Sequence, residues 1–116
     1  MSDSRGAAPA GPVRVVVWFR SQDGSGNGTD ADILAGYRKM RDDLAGKPGL
    51  VGSELLRAAG DPNSFGVLSQ WESVRHFVAW QQEPGHDDDT APMDQYLDRT
   101  RPGGRYADMY QIVDAG

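Results

Sequence analysis

Residues 48–80 constrain this chain more than any other stretch. Two runs rich in strand formers, 50–58 and 65–71, flank a turn over 60–64 that contains Asp61-Pro62-Asn63. Runs this close in sequence pair as an antiparallel hairpin, because parallel neighbours need a crossover of a dozen or more residues. Proline pre-sets the backbone of the turn, and the flanking Asp and Asn tolerate its dihedrals. The second run puts Phe65, Val67 and Trp71 on one side and Leu68 on the other. Directly after it, Ser73 is placed to cap a helix in which Val74, Phe77, Val78 and Gln81 share a side, with Trp80 flanking them. Pro84-Gly85 ends that helix. A hairpin followed at once by a helix commits the chain to a sheet with helices laid on it. The large aromatics then meet between the two layers.

The rest of the chain extends this plan. Residues 13–19 read Val-Arg-Val-Val-Val-Trp-Phe, a strand with so few polar residues that both faces are expected to be buried, as in a central strand. Over 30–44, Ile33, Tyr37, Met40 and Leu44 recur at helical spacing and form one apolar stripe. Thr29 or Asp30 is the expected cap of this helix, Asp30 and Asp32 suit the positive end of its dipole, and Asp42 and Asp43 oppose the other end. Gly46 is placed to close the helix, and Pro48 prevents its continuation. Downstream, the expectation is a polar loop over 86–90, a short helix over 92–99 with Pro92 in its first turn, a turn over 101–105 and a last strand over 106–113. Residues 1–12, small and polar, are expected to be a disordered tail before a single domain over 13–116.

The order strand, helix, strand, strand, helix, strand is the split βαβ pattern. It predicts an α+β, ferredoxin-like sandwich with helices on one face of an antiparallel sheet. The strands carry Val, Trp, Tyr and Leu at both parities, so the second face also needs a cover. A second copy of the chain is the simplest cover, and a homodimer built as a dimeric α+β barrel is therefore expected.

Composition removes several function classes. The absence of cysteine excludes thiol catalysis, disulfides and cysteine-ligated zinc. A net charge of -5 disfavours non-specific binding to nucleic acid or to an anionic membrane. No long apolar run is present, and residues 1–12 lack the apolar core of a signal peptide, so a soluble cytoplasmic protein is expected. The 21–29 segment is read as a flexible loop and a candidate lid. Its glycines, Gly24, Gly26 and Gly28, are spaced G-x-G-x-G rather than as a dinucleotide fingerprint, and no P-loop lysine follows.

Pro48-Gly49-Leu50-Val51, a strand ending Leu55-Leu56-Arg57, a strand ending Trp71-Glu72-Ser73, then Phe77 and Trp80, together resemble the antibiotic biosynthesis monooxygenase family. Pro92-Met93 and the strand from Tyr106 fit the family's usual ending, so the likeness covers about residues 13–114. The resemblance implies small ferredoxin-like subunits paired into α+β barrels. It also implies, for some members, cofactor-independent oxygenation of phenols or anthrones to quinones in polyketide pathways. Such members use a strand-one asparagine, whose position falls near Val17 here, and a tryptophan corresponding to Trp71. Haem-degrading members use a tryptophan corresponding to Trp80 and a histidine about nine residues on, where this chain has Asp89, with His86 nearby.

Trp71, Trp80, Phe77 and Tyr37 are the candidate substrate-binding residues, and all four equally suit core packing. His76 and His86 are the candidate catalytic residues, since an imidazole near neutral pH can take a phenolic proton. His76 is also placed to be a solvated surface histidine. His86 with Asp87, Asp88 and Asp89 has the composition of a hard-metal loop, but four consecutive side chains diverge, and no metal or cofactor site is expected. The reading is thus a small oxygenase acting on a small aromatic molecule, with no nucleic acid or membrane partner. A polyketide cyclase, a non-catalytic accessory module and a haem-binding protein of the same fold are the alternatives.

Overall fold

The computed structural model describes residues 11–22 and 29–116. Most of the expected tail and the glycines of the expected lid lie outside the described residues. Within them run β1 (Val13–Arg20), α1 (Asp30–Leu44), β2 (Leu50–Arg57), β3 (Ser64–Trp71), α2 (Val74–Gln81), α3 (His86–Asp94), a 3₁₀ turn at Pro102–Gly104 and β4 (Ala107–Gln111). The sheet order is β2-β3-β1-β4 and every neighbouring pair is antiparallel. This is the ferredoxin-like α+β arrangement, with β1 and β3 central.

Register explains the layering. Val13 faces Trp71, Val15 faces Ser69, Val17 faces Val67 and Phe19 faces Phe65 across β1 and β3. These residues point towards the helices, where they join Ile33, Tyr37, Met40 and Leu44 of α1, Phe77 and Trp80 of α2, and Met93 of α3 in one core. The α1 stripe is the one its spacing predicts. Thr29 caps α1 in a full capping box with Asp32, and Ser73 caps α2 by accepting from the His76 N–H. The alternate residues of the strands, among them Val16, Trp18, Leu56, Leu68 and Tyr110, point to the opposite face.

The segment after α2 departs from the sequence expectation. Residues 86–90 are not a loop, and no helix runs from 92 to 99. A single helix, α3, covers His86–Asp94 with Pro92 inside it. Asp87, Asp88 and Asp89 fill its first turn, where the helix dipole favours negative charge. Pro92 sits two residues from its end, so only the last turn lacks a donor. Beyond it, Leu97 bridges to Phe19, and this pairing draws the chain away from helical geometry.

Candidate active site

Between the sheet and the three helices lies a cavity of about 630 Å³, within the range of pockets that enclose a small organic ligand. Its floor is the inward face of the sheet: Val15 and Val17 of β1, Ser53 of β2, and Val67 and Ser69 of β3. Trp71, Phe77 and Trp80 form one wall, Met40 and Leu44 of α1 another, and His86, Thr90 and Met93 of α3 a third.

The aromatic wall is a packed unit. Trp71 and Trp80 lie nearly parallel, with ring centroids 5.5 Å apart, and Phe77 meets Trp71 edge-on at 5.5 Å. These are the offset and edge-to-face arrangements that ring quadrupoles favour. Each indole N–H is held. Trp71 Nε1 donates to Ser69 Oγ at 2.9 Å, and Trp80 Nε1 donates to Asp89 Oδ2 at 2.9 Å. Asp89 is also 3.7 Å from Lys47 Nζ, and Lys47 donates to Glu83 at 2.8 Å. The Glu83 hydrogen bond raises the Lys47 pKa against the opposing effect of desolvation, with help from the Asp89 charge. The position nine residues after Trp80 is thus occupied by a carboxylate that anchors that indole.

The two histidines separate. His86 lines the cavity at the start of α3, its ring edge-on to Trp80 at 4.3 Å. Its Nδ1 is buried and has no hydrogen-bond partner among the described residues. His76 is not among the cavity residues. Its Nδ1 is 2.8 Å from Ser73 Oγ, and its ring lies against Gly49, where an added Cβ would sit 2.2 Å from the imidazole. Tyr37 also stands back from the cavity and reaches it through Ser53, with its hydroxyl 2.9 Å from Ser53 Oγ. Trp71, Trp80, Phe77 and His86 are therefore brought together at one cavity, Tyr37 stands behind it, and His76 lies elsewhere. Among the described residues no three His, Asp or Glu side chains are grouped to hold a metal ion.

Ser53 and Ser69 are site residues that sequence reading overlooked. The signal was present in strand parity, since Ser69 alternates with Val67 and Trp71 on the inward side. Val17, near which the resemblance puts an asparagine in some family members, lines the floor as an aliphatic.

The fold and the cavity define a class: a ferredoxin-like α+β protein with an aromatic-walled pocket between sheet and helices. Residues 26–88 match the antibiotic biosynthesis monooxygenase family, and the chain belongs to that family. It is 32% identical over 85 residues to Protein SchA of Streptomyces halstedii, and 32% identical over 81 residues to the 42.8 kDa protein in the whiE locus of Streptomyces coelicolor. Those stretches cover 73% and 70% of this chain but 21% and 19% of the relatives, so the chain spans about a fifth of their length. Among solved structures, SnoaB, a cofactor-independent oxygenase from Streptomyces nogalater, superposes with a TM-score of 0.71 at 18% identity, covering 91% of this chain and 97% of that one. Rv0793 from Mycobacterium tuberculosis gives 0.65 at 16% identity, covering 90% and 97%. At these identities the structural likeness establishes the fold. No helix among the described residues is long and apolar enough to cross a membrane.

Proposed function

We propose that the protein is a small enzyme of secondary metabolism that oxygenates an aromatic polyketide-like phenol or anthrone to a quinone, using O₂ and no cofactor. The observation that carries this reading is a cavity walled by Trp71, Phe77 and Trp80 with the His86 imidazole on its lining. The wall stacks a flat ring system. The neutral His86 imidazole accepts the substrate proton at a ring nitrogen: an O–H or activated C–H bond breaks and an N–H bond forms. The resulting electron-rich anion is oxidised by O₂. One oxygen atom ends in the new carbonyl and the other leaves as water with two substrate hydrogens. The protein contributes orientation, exclusion of water and the base. The subunits act as a homodimer that covers the outer sheet face.

The test is oxygen uptake with a panel of anthrones and hydroxynaphthalenes, alongside quenching of tryptophan fluorescence. His86→Gln is expected to retain quenching and lose at least tenfold in uptake. Neither uptake nor quenching with any member of the panel would overturn the proposal. The aliphatic Val17 favours a second reading, a cyclase or a non-catalytic accessory module, in which quenching occurs without uptake.

A further inference from the structure

We propose that Ser53 and Ser69 form a paired hydroxyl donor site on the cavity floor that binds the phenolate or carbonyl oxygen of the aromatic ligand, with Tyr37 as a positioning residue behind Ser53. The inference rests on the cavity being an aromatic-ligand site, as argued above, and adds to it the group that reads the ligand's oxygen.

Ser53 and Ser69 are directly opposed on β2 and β3, and both line the cavity. Their β1 and β3 neighbours on the floor, Val15, Val17 and Val67, are aliphatic, so the two hydroxyls are a polar spot in an apolar surface. A serine hydroxyl has one hydrogen to give and two lone pairs to accept with. The indole Nε1 of Trp71 can only donate, so Ser69 Oγ is the acceptor at 2.9 Å and keeps its own hydrogen. Among the described residues nothing accepts that hydrogen. The second serine repeats the pattern. Tyr37 is a buried phenol 2.9 Å from Ser53 Oγ. A phenol is more acidic than an aliphatic alcohol and is the better donor, so Tyr37 gives its hydrogen to Ser53, and Ser53 keeps one for the cavity.

Each serine thus accepts from an aromatic donor, Trp71 in the cavity wall or Tyr37 behind the floor, and has a hydrogen left for a ligand. Two such donors in an apolar setting favour an oxygen that carries or develops negative charge. They lower the pKa of a bound phenol, which assists the proton transfer assigned to His86.

The probe is 2-hydroxyanthraquinone, whose phenolate absorbs at longer wavelength than its phenol. Its ionisation is titrated while bound to the wild type, to Ser53→Ala/Ser69→Ala and to Tyr37→Phe. The double variant is expected to raise the pH of half-ionisation by about one unit, a tenfold change in the ionisation constant, with quenching retained. Tyr37→Phe, which leaves the cavity surface unaltered, is expected to raise it by less, and Ser69→Thr is expected to restore the wild-type value to a Ser69→Ala protein. Identical ionisation in the wild type and the double variant overturns the donor pair and leaves the ligand site standing. Absence of quenching in the wild type overturns the ligand site and the donor pair together.

Discussion

Gly49 gives His76 its place. The glycine has φ of +83°, a left-handed conformation that disfavours any residue with a Cβ, and the imidazole ring occupies the space that Cβ would fill. Gly49→Ala therefore meets two penalties, about 1 kcal/mol or more from the backbone and a clash with the ring. Chemical denaturation is expected to show a loss of about 2 kcal/mol or more, and His76→Gly, which removes the ring and the Cβ that would lie 2.3 Å from the added one, is expected to make the two losses less than additive. Additive effects of the two substitutions would refute the contact. Asp98 supplies a second test at this scale. Burial pushes its carboxyl pKa up, but the Thr100 hydroxyl and backbone N–H, together with the charges of Arg20 and Arg101, hold it below the ordinary 3.8. A carboxyl whose folded pKa is depressed stabilises fully above its unfolded pKa and loses that contribution as pH falls through the folded value. The melting-temperature gap between wild type and Asp98→Asn is thus expected to be constant above about pH 5 and to close on acidification. A gap that stays level down to acid unfolding would contradict this account.

Elements differed in how plainly the chain announced them. α1 was legible because Ile33, Tyr37, Met40 and Leu44 keep helical spacing and all four are buried. The hairpin and α2 were legible from turn chemistry and a capping serine. α3 was not, because it buries only Met93 among its nine residues and so shows no stripe, while Pro92 argues against a helix at that point. Tertiary packing decides instead. Gly36 of α1 lets α3 approach so closely that a Cβ there would lie 2.7 Å from the Pro92 carbonyl oxygen and 2.8 Å from Met93 Sδ. The same limit hid part of the site, although Trp71, Phe77, Trp80 and His86 were named from the chain and line the cavity. Chain position alone could not tell His86, on a helix that carried no periodic signal, from His76, on one that did. A serine at an inward strand position looks like an edge residue until its partner strand is known. Gly36→Ala tests the packing claim. On an isolated helix it would stabilise by about 1 kcal/mol. Against the α3 backbone it is expected to destabilise by about 1–3 kcal/mol through overpacking, and to weaken ligand quenching because α3 carries His86. A raised melting temperature would show that α3 yields without cost.

At the scale of the whole molecule the unresolved demand is the second sheet face. All three helices serve the inward side, yet the outward side presents Trp18, Leu56, Leu68 and Tyr110 around a buried Val16, with Leu56 40% and Tyr110 52% exposed. Part of this face is managed within the subunit. The Arg101 guanidinium lies 4.0 Å over the Trp18 ring, and Asp108 accepts from Trp18 Nε1 at 3.2 Å. At the centre of the face Leu68 of β3 neighbours Val16 of β1, and Glu54 of β2 and Asp108 of β4 flank this apolar pair. Charge repulsion is the natural probe, because in a two-fold pair each substitution places two like charges in one apolar layer. Leu68→Glu is expected to convert a dimer of the 12.6 kDa chain into a monomer in sedimentation, with helix content preserved because Leu68 is absent from the inward core. The monomer's freed apolar face should then bind a hydrophobic dye that the wild type excludes. A wild type that sediments as a monomer at tens of micromolar while folded would overturn the paired arrangement. It would leave standing the walls and floor that one subunit supplies to the cavity.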